Sequence, residues 1–290
     1  METISDALNR AGIRVEHDVS GRKLSTFAAG GDVRNLVMPK TIEELQQSLR
    51  ILAPVRYHVL GGGSNSLISD FGLDWVLSTR DMKGIEIEND VVRAMAGEML
   101  PALSAAATER GLSGLEFASG IPATVGGALR MNAGAYGQDM AAVVTSAIVV
   151  TAQTVEVVEK AALGLRYRDS RIKGVVGAVT FRLTAKDKNE IAATVENMRV
   201  SRSANSPRQP SLGCVFKAAS GVPAAKYIQG CGLKGTKIGQ AQVSGVHCNY
   251  IVNMQGATAR DYLRLVDVVK SAVYERYGVY LEEEFVHLHD

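Results

Sequence analysis

The sequence has few of the features that mark a secreted, metal-binding or membrane-spanning protein. It holds only three cysteines, Cys214, Cys231 and Cys248. Their odd number and wide spacing, without a C-x-x-C pair, exclude a disulfide framework and a structural zinc site. No apolar run reaches the roughly 20 residues of a membrane helix, and the N-terminal residues do not resemble a signal peptide. These absences predict a cytoplasmic protein that binds neither a metal nor a membrane.

Excess charge of either sign is also missing. Lys and Arg total 32 against 30 Asp and Glu, a formal net charge of +2. This balance provides no long-range field to attract nucleic acid or an anionic membrane surface, so an anionic ligand must be held by local groups. The length of 290 residues predicts a globular protein of about two domains.

What the sequence does contain is two glycine-rich segments, and the first follows a short buried strand. A capping box at Thr41–Glu44 predicts a helix to about Leu52, and residues 55–60 read as the strand that ends in Gly61–Asn65. Residues 66–77 lack helical periodicity and predict strand and turn. A Rossmann fingerprint needs a helix at its glycines and a Walker loop needs Gly-Lys-Ser/Thr, so both are excluded. Consecutive glycines let several N–H groups converge on a phosphate.

The second glycine-rich segment is Gly120–Gly137, for which we predict a long loop of small, uncharged residues. Such a loop can lie flat against a planar aromatic ring system. Before it, residues 84–96 predict a hairpin with its turn at Asn89-Asp90, and Leu100–Arg110 predicts an Ala-rich helix.

After the second segment, three strands, three helices and a terminal strand are predicted in that order. Apolar β-branched runs predict strands at residues 147–151, 155–158 and 178–183. Helices are predicted from the cap at Asp187 through Val200 and at residues 224–229 and 258–277, and a last strand at 280–288. The irregular residues 201–210 contain two prolines and are the predicted domain boundary.

A series of short motifs follows one another along nearly the whole chain: Gly61–Asn65, Gly111–Phe117, Gly120–Gly127, Met131–Ala135, Tyr167–Ser170, Gly213–Lys217, Ala241–Ser244, His247–Asn253 and Leu281–Glu284. Together, in this order, they resemble the signatures of the UDP-N-acetylenolpyruvoylglucosamine reductase family.

The resemblance implies an α+β protein with an FAD-binding fold of the PCMH/vanillyl-alcohol-oxidase type, made of two subdomains, plus a C-terminal α+β substrate-binding domain. It places the FAD domain at residues 1–200, with subdomains at about 1–78 and 79–200, and the substrate domain at 201–290. It implies non-covalent FAD and NADPH, which reduce the enolpyruvyl ether of a UDP-sugar to UDP-N-acetylmuramate in peptidoglycan precursor synthesis. We expect a cytoplasmic monomer without nucleic-acid partners.

Three residues match the family's catalytic positions. Negative charge that develops on the substrate carboxylate suits the guanidinium of Arg168, and Glu284 would help to stabilise the same intermediate. Cys214 holds the position of the proton donor, which is a serine or cysteine in the family. With a reference pKa of about 8.5, a thiol is a far better acid than an alcohol. Glu282 shares a strand face with Glu284, so the choice between them depends on the resemblance alone.

Structural explanations compete with these roles: Arg168 suits a surface ion pair with Asp169, and an isolated cysteine is most often a small buried hydrophobe. For Arg199 and Arg202 a solvated helix face is the better interpretation, and His247 receives no role. The other matched residues fall into two groups. The resemblance implies substrate-binding residues Tyr136, Tyr167, Lys217 and Asn249, and cofactor-binding residues Gly61, Gly62, Gly63, Ser64, Asn65, Ser119, Gly120, Thr124, Gly126, Gly127, Asn132, Gly134 and Ala135.

The chain departs from the family pattern at several positions. Ala28-Ala29 replaces an Arg-Ile pair, the segment between Pro210 and Gly213 is shorter than in the family, and Glu283 stands where proline is usual. Two other functions stay open. One is a related flavin oxidase of a small alcohol or sugar, and the other is a nucleotide-sugar binding protein without catalysis.

Overall fold

The computed structural model describes residues 3–290, which divide into two compact units. Unit 1 contains the residues up to His17, Asn35–Gly62 and Trp75–Arg202. Unit 2 contains Asp18–Arg34, Gly63–Asp74 and Ser203–Asp290. Along the chain, the last change from unit 1 to unit 2 lies between Arg202 and Ser203. Two early segments of the chain, Asp18–Arg34 and Gly63–Asp74, thus belong to the same unit as the C-terminal residues.

Helices and strands occur along the whole described chain. The helices are α1 (Ile4–Arg10), α2 (Gly21–Leu24), α3 (Ile42–Ile51), α4 (Leu100–Glu109), α5 (Val125–Arg130), α6 (Met140–Val143), α7 (Lys160–Leu163), α8 (Lys188–Asn205), α9 (Ala224–Gly230) and α10 (Ala259–Tyr277). The strands are β1 (Arg14–Ser20), β2 (Asp32–Met38), β3 (His58–Leu60), β4 (Ser66–Ile68), β5 (Leu73–Ser78), β6 (Ile85–Glu88), β7 (Val91–Met95), β8 (Leu112–Ser113), β9 (Gly134–Ala135), β10 (Gln138–Asp139), β11 (Val144–Val150), β12 (Val155–Glu159), β13 (Val175–Arg182), β14 (Thr184–Ala185), β15 (Ser211–Cys214), β16 (Lys237–Ile238), β17 (Ala241–Val243), β18 (Tyr250–Asn253) and β19 (Val286–Leu288).

The predicted helix starts are found where side chains cap them. Thr41 accepts a hydrogen bond from the N–H of Glu44 at the start of α3, and Thr258 forms a capping box with Asp261 at the start of α10. Asp187 accepts from two N–H groups of α8. Because each cap satisfies N–H groups that have no partner inside the helix, these starts can be predicted from the sequence.

Several predictions of loop and strand need correction. The second glycine-rich segment is not one long loop, because it contains α5 and the two-stranded ribbon β9–β10. Helix α8 continues five residues past Val200 to Asn205, and it ends before Pro207, which cannot continue a helix. The strands β3 and β19 are shorter than predicted, because only His58–Leu60 and Val286–Leu288 pair with another strand.

Unit 1 is built on a five-stranded sheet of order β12-β11-β13-β7-β6, in which every neighbouring pair is antiparallel. The predicted hairpin of β6 and β7 turns at Asn89, whose φ is +53°. Its core joins apolar residues of the sheet to those of α4 and α5, among them Val92, Leu103, Leu129, Val179 and Phe181. Also in unit 1, the ends of β3 and β5 pair in parallel, with Leu60 opposite Ser78.

Unit 2 contains the antiparallel sheet β15-β18-β17-β16, against which α10 packs. The buried face of α10 carries Tyr262, Val266, Val269 and Val273. These side chains form a core with residues of the sheet and with Phe27 and Phe285. Among residues 3–290, no helix has both the length and the apolar character of a membrane span.

Candidate active site

In unit 1, the first glycine-rich segment begins where the parallel strands β3 and β5 end. Gly61 follows β3 directly, and Arg80 stands two residues after β5. The Arg80 guanidinium donates from Nε to the carbonyl oxygen of Gly61 at 3.0 Å and from Nη2 to that of Gly62 at 2.9 Å. Burial lowers the pKa of Arg80. Arg80 therefore fixes the orientation of the peptide groups in this segment.

The direction of these carbonyl groups determines where the N–H groups point. In a trans peptide the C=O and N–H bonds point to opposite sides, so the N–H of Gly62 points away from Arg80. Within residues 3–290 this N–H group has no hydrogen-bond acceptor. A polar group that the protein leaves unsatisfied beside two glycines is suited to an anion such as a diphosphate.

The first segment lies against Thr124 of the second. A Cβ atom on residue 61 would come 2.5 Å from Thr124 Oγ1, so only glycine fits there. Thr124 Oγ1 in turn accepts from the N–H of Gly127 at 3.4 Å. Gly126 has a packing reason instead, because a Cβ there would lie 2.8 Å from Ala96 Cβ. One of the predicted cofactor residues, Gly126, therefore allows α5 to pack closely against the residue that follows β7.

The side chain of Arg202, for which the sequence predicted a solvated helix face, lies against Gly120. A Cβ on residue 120 would come 2.6 Å from Cδ of Arg202, so the Arg202 side chain crosses this glycine. Arg199, one helical turn earlier, forms an exposed two-bond ion pair with Glu196, as a solvated helix face predicts. Ser119, next to Gly120, donates from Oγ to the carbonyl oxygen of Glu116 at 2.8 Å.

Asn132 organises the end of the second segment. Its Nδ2 donates to Asp139 Oδ2 at 3.0 Å and to the carbonyl oxygen of Arg166 at 2.9 Å, and its Oδ1 accepts from the N–H of Ala141 at 2.9 Å. Because its side chain is buried and already bonded to the protein, Asn132 supports the shape of the segment. Ala135 pairs with Gln138 in the short ribbon that follows.

Arg168 also contacts this segment. It occupies a tight turn closed by reciprocal backbone hydrogen bonds between Arg166 and Asp169, and its φ is +53°. Its Nη2 donates to the carbonyl oxygen of Gly134 at 2.9 Å. A positive φ at a non-glycine residue costs free energy and is typical of functional sites. The structure thus places the predicted catalytic arginine against a predicted cofactor residue.

Two tyrosines of unit 1 are exposed, as substrate-binding residues must be. Tyr136 is 46% exposed, and its hydroxyl donates to the carbonyl oxygen of Met198 in α8 at 2.6 Å. Tyr167 is 57% exposed, and its ring lies 5.3 Å from Cζ of Arg168. Tyr136 is held at its hydroxyl, and one face of the Tyr167 ring is covered by the Arg168 guanidinium.

In unit 2, Asn65 joins the first glycine-rich segment to the residues that lead from Glu284 into β19. Its Nδ2 donates to the carbonyl oxygen of Glu284 at 2.9 Å, and its own carbonyl accepts from the N–H of Val286 at 2.9 Å. In the described chain, the N–H groups of Gly63, Ser64 and Asn65 have no acceptor. They match the donors that a phosphate needs.

Cys214 and Glu284 lie on adjacent extended segments of unit 2. The N–H of Glu284 donates to the carbonyl oxygen of Val215, the residue after Cys214, at 2.8 Å. Both side chains are half-buried. The structure therefore brings together two of the three predicted catalytic residues, whereas Arg168 belongs to unit 1.

Asn249 supports the strand of Cys214. Its Oδ1 accepts from the N–H of Phe216 at 3.0 Å, and its Nδ2 donates to the carbonyl oxygen of the same residue at 2.9 Å. These bonds imitate strand pairing and fix the backbone just after the thiol. The N–H of Asn249 donates to His247 Nδ1 at 3.3 Å, and burial lowers the pKa of that imidazole.

Glu282 and Glu283 each form an ion pair with a lysine. Glu282 pairs with Lys217, a predicted substrate-binding residue, and Glu283 Oε1 pairs with Lys270 Nζ at 2.9 Å. The carboxylate of Glu282 thus forms an ion pair with the ammonium group of Lys217. A substrate anion that approaches Lys217 has to compete with Glu282.

Sequence reasoning missed Arg80 and the position of Arg202. A signal for Arg80 was present, because parallel strands place the residues after their carboxyl ends together, where ligands bind in many α/β proteins. We could not use it because the pairing of β3 with β5 is not readable from the sequence. For Arg202 the sequence holds no signal, since contact with Gly120 depends on where α8 packs.

Comparison with known proteins defines the class first. Residues 33–159 match the model of the FAD binding domain, and residues 205–288 match the C-terminal domain of UDP-N-acetylenolpyruvoylglucosamine reductase. Glucooligosaccharide oxidase from Acremonium strictum, at 12% identity, aligns with a TM-score of 0.52 over 97% of this chain and 60% of its own. The protein has the α+β FAD-binding fold of the PCMH/vanillyl-alcohol-oxidase type.

More similar relatives define the family. The reductase from Rubrobacter xylanophilus is 38% identical over 91% of both chains, and that from Listeria monocytogenes serotype 4a is 42% identical over 90% of this chain and 91% of its own. The crystal structure of the Thermus caldophilus reductase aligns with a TM-score of 0.82 at 35% identity, over 96% of this chain and 100% of its own. The chain belongs to the UDP-N-acetylenolpyruvoylglucosamine reductase family, which confirms the resemblance.

The role of Arg80 can be tested by its effect on cofactor binding. We expect Arg80→Met to raise the Kd for FAD about 10- to 100-fold, because charge-assisted hydrogen bonds to two glycine carbonyls are lost. The ratio of flavin to protein absorbance and a fluorescence titration with FAD measure this.

Arg50→Met is the matched control. Arg50 likewise donates from Nε to a backbone carbonyl oxygen of unit 1, that of Ala152 at 2.8 Å. We expect it to leave FAD affinity within twofold of the wild type. Equal FAD affinity in Arg80→Met and the wild type would contradict the proposed role of Arg80.

Proposed function

We propose that the protein catalyses the NADPH-dependent reduction of UDP-N-acetyl-3-O-(1-carboxyvinyl)-glucosamine to UDP-N-acetylmuramate by means of bound FAD. Family membership supports the reaction class. The observation that carries the proposal is the placement of Cys214 beside Glu284 on adjacent backbone segments. A proton donor and a carboxylate at this spacing fit the second half of the reaction, in which a carbon atom is protonated.

The residues of the two glycine-rich segments are suited to hold FAD. We assign the diphosphate to the N–H groups of Gly61–Asn65. Within the described residues, the N–H groups from Gly62 to Asn65 have no acceptor. We assign the ring system to the small residues of Gly120–Ala135. Non-covalent binding is consistent with this set, since it depends on backbone donors and surface contact. When bound, FAD supplies hydride transfer from NADPH to the terminal carbon of the enol ether.

In this reaction, side chains of the protein stabilise the negative charge on the intermediate and donate the proton. The guanidinium of Arg168 stabilises the negative charge that develops on the substrate carboxylate, and its bond to Gly134 holds it in place. Glu284 assists in stabilising the same intermediate. The thiol of Cys214 gives its proton to the carbon next to the carboxylate.

Substrate recognition is proposed for the exposed faces of Tyr136 and Tyr167 and for Lys217. A cation that can leave Glu282 suits the diphosphate of a UDP-sugar. We revise the role of Asn249, because its side chain holds the strand of Cys214. For location and assembly we propose a cytoplasmic monomer without nucleic-acid or membrane partners. In the described residues the three cysteines form no disulfide, which is consistent with a reducing compartment.

The reaction can be tested on the purified protein. We expect a yellow protein that oxidises NADPH only when the enolpyruvyl UDP-sugar is present and that releases UDP-N-acetylmuramate, identified by mass spectrometry. NADPH oxidation that is indifferent to this sugar would disprove the proposal. Peroxide formation from a sugar or alcohol without NADPH would indicate an oxidase, and a colourless protein that binds the UDP-sugar would indicate a binding function.

A further inference from the structure

Thr26 connects the first glycine-rich segment to the strand of Cys214. Its N–H donates to the carbonyl oxygen of Gly63 at 3.1 Å. Its hydroxyl oxygen lies 2.7 Å from the carbonyl oxygen of Ser211 and 3.5 Å from that of Gly63, so its single proton is donated to Ser211. Ser211 is the first residue of β15, which ends at Cys214, and all four residues belong to unit 2. One exposed threonine thus joins the segment proposed to hold FAD to the strand of the proposed proton donor.

The turn that carries Thr26 is itself held firmly. The N–H of Ala28 donates to the carbonyl oxygen of Ser25 at 3.0 Å, which closes the turn. Asn253 Nδ2 donates to the carbonyl oxygen of Phe27 at 2.8 Å, and the Phe27 side chain is fully buried. Ala28 has a φ of +56°, which costs free energy in a residue with a Cβ atom and persists only where surrounding contacts enforce it. The turn is therefore a rigid support for the Thr26 hydroxyl.

Between Ser211 and Cys214 the strand β15 contains a bulge. Ser211 pairs with Val252 and Cys214 with Tyr250, so three steps along β15 face two steps along β18. Gly213, inside the bulge, has a φ of +80°. A bulge interrupts the hydrogen-bond ladder and changes the direction of the side chains that follow it. The direction of the Cys214 side chain therefore depends on how Ser211 is fixed.

The residues after Cys214 have an anchor of their own. The main-chain oxygen of Asn249 accepts from the N–H of Val215 at 2.8 Å, and its side-chain oxygen accepts from the N–H of Phe216 at 3.0 Å. Cys214 thus lies between two fixed points, Asn249 on one side and Thr26, through Ser211, on the other. Only the bond from Thr26 refers the thiol to the glycine-rich segment.

We propose that Thr26 is a positioning residue for proton donation, whose hydrogen bonds to Gly63 and Ser211 set the spacing between the FAD-binding segment and the Cys214 thiol. The proposal rests on the proposed function. In the step, the S–H bond of Cys214 breaks and its electron pair stays on sulfur. The proton forms a C–H bond with the electron pair of the enolate-like intermediate, and solvent later returns a proton to the sulfur. Thr26 exchanges no proton and acts only through the backbone of β15.

The first test is Thr26→Val, studied by rapid kinetics. Valine has the shape of threonine and keeps the N–H bond to Gly63, but it cannot donate to Ser211. Flavin reduction by NADPH should be unchanged, and flavin reoxidation by the enolpyruvyl UDP-sugar should slow about tenfold, because a displaced proton donor loses much of its rate. The Kd for FAD should stay within about twofold of the wild type, as for ordinary surface substitutions. Thr26→Ser keeps the hydroxyl and should retain the wild-type reoxidation rate.

Thr145→Val is the matched control. The Thr145 hydroxyl also donates to a backbone carbonyl oxygen, that of Thr180 at 3.2 Å, in the five-stranded sheet of unit 1. We expect wild-type rates in both half-reactions of this variant. Wild-type reoxidation in Thr26→Val, or equal slowing of its two half-reactions, would overturn the inference.

The second test does not depend on the reaction. Hydrogen–deuterium exchange with peptide mass spectrometry, on protein freed of flavin, reports how firmly β15 is held. Thr26→Val should speed exchange at residues 211–216 several-fold, whereas Thr26→Ser and Thr145→Val should not. In a protein that does not reduce the UDP-sugar, this measurement decides alone. Faster exchange would then support the role of Thr26 and remove only the proposed function, and exchange at the wild-type rate would overturn the inference.

Discussion

Cys214→Ala is expected to slow flavin reoxidation by the enolpyruvyl UDP-sugar about 10²- to 10⁴-fold, the range of general acid catalysis. Flavin reduction by NADPH should be unchanged, because no carbon is protonated in that half-reaction. Stopped-flow absorbance of the flavin measures the two halves separately. Cys214 lies at the end of β15 with a half-buried side chain, so truncation to alanine should not unfold the strand.

Two further cysteine variants sharpen this result. Cys214→Ser should restore much of the rate, because serine holds this position in many family members. Cys231→Ala should reoxidise at the wild-type rate. Its thiol donates to the carbonyl oxygen of Ala272, and burial raises its pKa, so it belongs to the packing of α10. Unchanged reoxidation in Cys214→Ala would remove the thiol from the mechanism.

Arg168→Lys is expected to lower kcat about 10²- to 10³-fold, the cost of losing one donor to a developing oxyanion. Lysine keeps the positive charge but loses the planar fork that can bind Gly134 and the substrate carboxylate together. Steady-state kinetics should place the loss in kcat. FAD content, measured by absorbance, should fall little because the glycine-rich segments are intact.

Arg166→Lys is the matched control for this variant. Arg166 lies in the same turn, where it contributes backbone hydrogen bonds and has an exposed side chain. We expect its kcat to stay within about twofold of the wild type, as for ordinary surface substitutions. A comparable loss in both variants would assign the effect to the shape of the turn and contradict the role of the Arg168 guanidinium.

Much of the local structure was predictable from the sequence. Helices α3 and α10 begin at Thr41 and Thr258 because capping depends on residues three positions apart. The hairpin turn at Asn89 and the absence of a helix after Gly61 were likewise local properties. The second glycine-rich segment was predicted less well, since α5 forms where Gly126 allows close approach to Ala96, which lies 30 positions earlier in sequence.

The two glycine-rich segments, the ordered motifs and the residue types of the catalytic positions were determined by the sequence alone, because each is a matter of chemistry at neighbouring positions. Tertiary structure alone decided that Arg80 orients the first segment and that Asn249 supports the strand of Cys214. Each of these contacts joins residues 18 to 33 positions apart in the sequence. Such contacts depend on how strands pair and helices pack, which no local pattern records.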